Sequence, residues 1–237
     1  MPGTDGAVSE RRPWRAPPVG PAIVTGIEAE PKLVRYLDEL YRWNERINLT
    51  SIPRVEAESR HLAEARRLLV HAAPATGARV ADIGAGGGVP GMVMAILRPD
   101  LRVTLIESDR RKAGFLVHAA ALCDCARVTV EPRRAEEVGR DPAHRDTYDL
   151  AVSRATASAP VLCELALPLL HAGGRLLALV ADAEADARSA APAASACGGG
   201  IPAALAPGIL SITKVGPTPE LYPRRAGMPA RRPLHGG

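Results

Sequence analysis

The stretch Asp82-Ile83-Gly84-Ala85-Gly86-Gly87-Gly88-Val89-Pro90-Gly91 decides how this chain folds. The apolar run Ala78-Arg79-Val80-Ala81 before it suits a buried parallel strand, and Met92-Val93-Met94-Ala95-Ile96-Leu97 after it suits a helix start. A strand, a glycine turn and a helix make a nucleotide-binding corner. Glycine reaches backbone angles closed to other residues, and without a Cβ it lets a ligand approach the main chain. The next strand, Val103-Thr104-Leu105-Ile106, ends in Glu107, about 20 residues past the glycines, where a carboxylate can accept hydrogen bonds from ribose hydroxyls. A dinucleotide asks for a third glycine where the helix packs beneath a pyrophosphate, but here Val89 and Pro90 follow the glycine run. Asp82 also suits an ammonium and a sulfonium better than two phosphates. The corner therefore favours S-adenosylmethionine over NAD, with Gly84, Gly86 and Glu107 among the expected contacts.

A chain of 237 residues holds one full α/β domain plus small appendages. Its 46% hydrophobic and 24% charged residues are ordinary for a soluble globular protein. Aromatics make up only 3%, so stacking platforms for single-stranded RNA are scarce, and an RNA partner would be held by Arg, backbone and shape. The net charge of +4 is compatible with nucleic acid without requiring it. With no long apolar run and no charged-then-apolar signal layout, the expected location is the cytosol and no membrane partner is expected. Cys123, Cys125, Cys163 and Cys197 lack both zinc-site spacing and disulfide-scaffold density, so they are expected as interior thiols; the six His residues are scattered, and no metal is expected.

Residues 1–26, rich in Pro, Gly and Ala with Arg11, Arg12 and Arg15, are expected to form a flexible arm. From Pro31, a helix would place Leu33, Val34, Leu37, Leu40 and Tyr41 on one face and feed Trp43-Asn44-Glu45-Arg46-Ile47-Asn48-Leu49-Thr50, a helix exit locked by side-chain to backbone hydrogen bonds. A second helix over 55–69 would turn His61, Leu62, Ala65, Leu68 and Leu69 inward. His61 is expected as a satisfied buried histidine, with a role in lining the pocket left open. Arg110, Arg111 and Lys112 open a helix after Glu107 and oppose its dipole; they face either a polyanion or solvent. Strands are expected at 127–131 and 148–153, leading to Ala135-Glu136 and to Arg154 at the ligand edge of the sheet. An Arg there needs an anionic or ligand partner. A helix over 160–170 and a strand over 175–180 complete five β/α units. The Ala-rich segment 181–207 permits a helix near 183–191 and otherwise reads as loop, 209–215 resumes a strand, and the proline-punctuated basic tail 218–234 suits phosphates.

These residues resemble the RsmG (GidB) methyltransferases of bacteria over about residues 31–234. The resemblance rests on Trp43-Asn44-x-x-Ile47-Asn48-Leu49-Thr50, the Asp82 to Gly91 loop, Ser153-Arg154-Ala155, and the tail from Thr218-Pro219 to Pro233-Leu234. It implies a Rossmann-like class I S-adenosylmethionine-dependent methyltransferase fold, α/β with a mostly parallel seven-stranded sheet. It also implies methyl transfer to N7 of a guanine in 16S rRNA of the small subunit, as naked RNA or as a particle. The family's cofactor contacts fall on Gly84, Val89, Ala135, Glu136 and Arg154, and Arg154 is the candidate for positioning the guanine or its phosphate. Residues 27–75 would be a helical cap and 76–237 the methyltransferase domain, in a monomer. Val180-Ala181 stands where the family usually has Lys-Gly, and Glu64-Ala65 where it has Asp-Ser. A divergent paralogue with another substrate, or an idle binding protein, remains an alternative.

Overall fold

A computed structural model describes residues 29–154 and 156–235. The arm at 1–26 and Ala155 of the Ser153-Arg154-Ala155 motif lie outside the described residues. Seven strands form one sheet in the order β3-β2-β1-β4-β5-β7-β6. Strands β1 (Arg79–Ile83), β2 (Arg102–Ile106), β3 (Val128–Glu131), β4 (Tyr148–Arg154) and β5 (Leu170–Leu179) run parallel. Strand β7 (Ile209–Thr213) is antiparallel to β5, and β6 (Ala203–Ala206) is antiparallel to β7 at the edge. The chain order reverses between β1 and β4. Ligands of open α/β sheets lie outside the carboxyl ends of strands at that switch point, and the glycine loop leaves β1 there.

Helix α1 (Ala29–Asn44) places Glu30 in its first turn and Arg42 in its last, in the sense that complements the helix dipole. Its stripe of Leu33, Tyr36, Leu37 and Leu40 is fully buried. Burying each leucine contributes about 1.5–3 kcal/mol. Val34, expected on that face, is 44% exposed: the stripe is narrower than the apolar pattern suggested, and a single valine in water costs little. The stripe shares one core with Met92 and Val93 of α3 (Gly91–Leu97) and Phe115 and Leu116 of α4 (Arg110–Leu122), so the N-terminal helices pack on the sheet domain and not on a core of their own.

The expected second helix comes in pieces. A 3-10 turn (Arg54–Glu56) and a π-helical turn (Glu58–Leu62) precede α2 (Ala63–Ala72), which stops at left-handed Ala73 ahead of Pro74. The inward residues His61, Leu62, Ala65, Leu68 and Leu69 are buried as expected. Beyond β3 come α5 (Ala135–Val138) and α6 (Ala159–Ala166), the latter followed by a 3-10 turn, Leu167–Leu169. Strand β5 starts five residues before the expected Arg175, across an irregularity in its pairing with β4.

The larger correction is in 181–207. Helix α7 (Ala183–Ala196) is capped by Asp182, whose side chain accepts from the Ala185 amide at 2.9 Å, and it continues through Pro192 to Cys197. Its small residues Ala190, Ala193 and Ala194 pack against α6, and β6 follows where loop was expected. The tail closes with α8 (Met228–Arg231). Cys123, Cys163 and Cys197 are buried, Cys125 is half-buried, and all are free thiols.

Candidate active site

The glycine loop is held from two sides. Gly84 adopts φ +67°, and a Cβ there would stand 2.2 Å from Thr156 Cγ2, so the chain leaving β4 can cross only because the position is glycine. Thr156 Oγ1 and Ser153 Oγ donate to the Ile83 carbonyl at 2.9 and 3.0 Å. From the cap, Tyr36 donates its hydroxyl to the Gly87 carbonyl at 2.5 Å. Burial pushes the Tyr36 phenol far up, which keeps it a donor.

Between these clamps opens a cavity of about 780 Å³, lined by Gly84 to Gly87, Val89, the loop 48–52, Arg154 and the ends of β4 and β5. Its volume lies within the roughly 300–1,000 Å³ of small-molecule clefts. The loop forming one wall is fixed by Asn44, whose Oδ1 accepts from the Leu49 and Thr50 amides at 2.8 and 2.9 Å while its Nδ2 donates to the Thr50 carbonyl at 3.0 Å. This is the locked helix exit expected from the sequence.

Arg154, half-buried at the end of β4, donates through Nη1 to His61 Nδ1 at 2.7 Å and to Glu64 Oε2 at 3.2 Å. A guanidinium has no lone pair to offer, so His61 Nδ1 is the acceptor and Nε2 carries the proton. Nε2 then donates to Thr50 Oγ1 at 3.0 Å. Burial first, and the charges of Arg154 and Arg60 next, hold the His61 imidazole down to about 4, so it is neutral here. The π-helical turn, a feature that recurs at functional sites, carries His61.

Asp82 is buried at the foot of the loop. Its Oδ2 accepts from the Gly91 amide at 2.8 Å, while the buried Oδ1 has no hydrogen-bond partner among the described residues. Burial raises its carboxyl to about 7, against the opposing pull of the Gly91 amide and Arg154. Glu107 closes β2 and accepts from the Gly86 amide at 2.9 Å and the Asp109 amide at 2.8 Å. Each oxygen keeps a second lone pair for a ribose hydroxyl.

The structure thus gathers Gly84, Gly86, Val89 and Arg154 in the cavity wall and joins Glu107 to it through Gly86. Ala135 and Glu136 lie outside that wall, at the start of α5 beyond β3. The Glu136 carboxylate accepts from the Gly227 amide at 2.8 Å, tying α5 to the tail. Among the three cations opening α4, Lys112 lines the cavity and Arg110 and Arg111 are exposed. Asp109 caps that helix by accepting from the Arg111 and Lys112 amides at 2.8 and 3.3 Å, which offsets their conflict with the dipole. Sequence reasoning missed Glu64 as the partner of Arg154 and missed Tyr36 and Thr156 as the loop's clamps. These partners are 51 or more residues apart in the chain, and no local pattern announces them.

Comparison with known proteins agrees with this architecture. The family model described as rRNA small subunit methyltransferase G (GidB) matches residues 29–205. The chain belongs to this family. It is 43% identical over 213 residues to ribosomal RNA small subunit methyltransferase G of Roseiflexus castenholzii, covering 86% of this chain and 91% of that protein. Its counterpart in Symbiobacterium thermophilum is 40% identical over 230 residues, covering 88% and 93%. Among solved structures, a structural-genomics protein of Corynebacterium glutamicum is 18% identical with a TM-score of 0.51, covering 76% of this chain and 89% of that one, a likeness of fold alone.

For a GidB-family protein the cavity fits S-adenosylmethionine on its own evidence. The orphaned Asp82 oxygen does not line the cavity; it is buried at the end of β1, behind a wall of bare backbone at Gly84, Gly86 and Gly87, a setting that favours a cationic ligand over an anionic one. The family tail is docked on α5 and α6. Glu164, fully buried, accepts from Arg224 at its amide and Nε, both 2.8 Å, and at Nη2, 2.6 Å. Arg224 is therefore turned inward, and only Arg225, Arg231 and Arg232 of the tail's arginines remain exposed for phosphates. Among the described residues no group of three or more His, Cys, Asp or Glu is placed to share a metal ion, and no helix is long and apolar enough to cross a membrane.

Proposed function

We propose that this chain transfers the methyl group of S-adenosylmethionine to N7 of a guanine in 16S rRNA of the small subunit. The observation that carries the reading is the meeting of the clamped glycine loop with Arg154 in a single cavity, in a chain of the GidB family. S-adenosylmethionine supplies an electrophilic methyl on a sulfonium. Gly84 and Gly86 would hold it by backbone and Glu107 by the ribose, with Asp82 behind the loop acting through its charge; Ala135 and Glu136, which lie beyond the cavity wall past β3, would meet only an adenine edge extending out of it.

Guanine N7 already carries a lone pair, so attack on that methyl needs no general base. The cavity's residues suit such a nucleophile. The His61 lone pair is taken by Arg154 and its proton by Thr50, and Glu64 is tied to Arg154, so neither group is free to accept a proton. What remains for the protein is alignment and electrostatics. Arg154, fixed by two partners, would place the guanine or its phosphate. The substrate puts this work in the cytoplasm, and the chain is read as acting as a monomer.

The test is to incubate the purified chain with methyl-labelled S-adenosylmethionine and either small subunits or naked 16S rRNA lacking the modification, then cleave at N7-methylguanine by reduction and aniline. Label and strand scission at one guanine are expected. Transfer to neither substrate would reject the reading, and label without scission would reject N7.

A further inference from the structure

Four cations line the cavity, Arg60, Arg67, Lys112 and Arg154, and among the described residues two of them, Arg60 and Arg154, are paired. Arg154 is bound to His61 and Glu64, Arg60 lies 3.3 Å from Glu56, and Arg66, next along α2, lies 3.4 Å from Glu30. Arg67 lines the same cavity, is exposed, and makes no ion pair and no side-chain hydrogen bond among the described residues. Its guanidinium does not simply run out into solvent. One of its terminal nitrogens lies 3.4 Å from where a Cβ on Gly208 would stand, and Gly208, at φ +71° in the turn between β6 and β7, accepts a hydrogen bond from the Val180 amide at 3.0 Å. Arg67 therefore reaches from α2 across the rim to the carboxyl end of β5. That strand end brings Ala178, Leu179, Val180 and Ala181 to the cavity wall, none of them charged, and Asp186 of α7, which follows, adds a carboxyl there and no cation. On the α4 side, Lys112 lines the cavity and is likewise without an ion pair.

From this we propose that Arg67 is a positioning residue that grips a backbone phosphate of the RNA strand entering the cavity, supplying from α2 the positive charge that the end of β5 lacks. The inference rests on the rRNA reading above. A nucleotide whose base enters a cleft leaves its phosphates at the rim. Phosphate contacts fix register without reading sequence, and each neutralised phosphate adds to the salt dependence of binding. An unpartnered guanidinium, planar and always charged, is suited to that contact.

The experiment uses the full chain with unmodified small subunits. Arg67→Ala is expected to raise KM for the RNA substrate about five- to tenfold and to lower the slope of log binding constant against log salt by about one. The maximal rate, the dissociation constant for S-adenosylmethionine and the thermal midpoint should stay as in the parent. Arg67→Lys should keep most of the affinity. Adding Val180→Lys to Arg67→Ala should restore both KM and slope, because position 180 lines the same cavity and is hydrogen-bonded to Gly208, beside which the Arg67 guanidinium lies. Parental KM and slope in Arg67→Ala would make Arg67 a solvated surface residue and overturn the proposal. Matching losses of thermal midpoint or cofactor affinity would make it structural. Rescue by Arg67→Lys but not by Val180→Lys would place the phosphate elsewhere and overturn the location. If the parent chain transfers no methyl group, the rRNA methylation reading fails by itself. The salt slope of RNA binding, measured without turnover, still decides Arg67.

Discussion

Arg154 is held at once by a neutral imidazole and by a carboxylate, and the partners act differently. Glu64 offsets the charge, while His61, locked into one tautomer by Thr50, fixes the direction of the guanidinium. Replacing Arg154 with Ala should lower methyl transfer about 100-fold or more, on the scale of a lost electrostatic group. Its ion pair with Glu64 is partly solvated, so the stability loss should stay within about 1 kcal/mol in urea titration. Equal losses of rate and stability would mean that the residue is structural. Removing this cation should also let the His61 imidazole climb from its depressed value, since the Arg154 charge is among the causes holding it down, and NMR titration of the ring would show it. The sequence showed that an Arg at a strand end needs a partner, but not which one. Glu64 lies 90 residues away on another element, and as a residue type it looks like any helix-surface carboxylate.

At the scale of elements, the tail behaves as a strap. Glu164 has no exposed surface and depends on Arg224, which also donates to the Arg232 carbonyl at 2.7 Å. Arg145 donates to the Thr218 and Tyr222 carbonyls at 2.7 and 2.8 Å, and Arg140 to the Pro223 carbonyl at 2.7 Å. Removing one partner of a buried ion pair leaves the other uncompensated, so Arg224→Ala should cost about 3–5 kcal/mol in urea unfolding. Pairing it with Glu164→Gln should recover a large part; no recovery would show that tail packing, and not the buried charge, dominates. The glycine corner and the five parallel strands were legible because each is a local pattern of apolar run, turn and helix start. Helix α7 and strand β6 were not. Alanine gives no contrast between helix faces, Pro192 and Gly198-Gly199-Gly200 look like breakers, and Ala190, Ala193 and Ala194 become informative only against α6. The tail looked like an extended basic arm because the buried carboxylate that turns Arg224 inward lies 60 residues earlier.

For the whole molecule, the response to pH depends on two buried groups of opposite sign. Burial lifts Asp82 from 3.8 to about 7 and lowers His61 from 6.5 to about 4. A carboxyl raised on folding contributes stability that is complete below its unfolded value and lost as pH rises through its folded one, so the Asp82 contribution fades between about pH 4 and 7. An imidazole lowered on folding contributes stability that is complete above its unfolded value and lost as pH falls through its folded one, so the His61 contribution fades from about pH 6.5 down to 4. Between pH 4 and 6.5 the two slopes oppose and largely cancel. Urea midpoints should show this when each is removed in turn: His61→Gln unmasks the Asp82 decline that the parent hides, so its difference from the parent grows as pH rises from 4 to 6.5. Asp82→Asn removes the decline toward neutral pH and should stabilise the free protein at pH 8. A cationic ligand favours the ionised carboxylate, so S-adenosylmethionine binding near pH 6.5 should release a fraction of a proton, seen as binding heats that vary with the ionisation enthalpy of the buffer. Asp82→Asn should bind more weakly and lose that variation. Heats independent of buffer in the parent would mean that Asp82 does not sense the ligand's charge, and its buried oxygen would then be a feature of the fold alone.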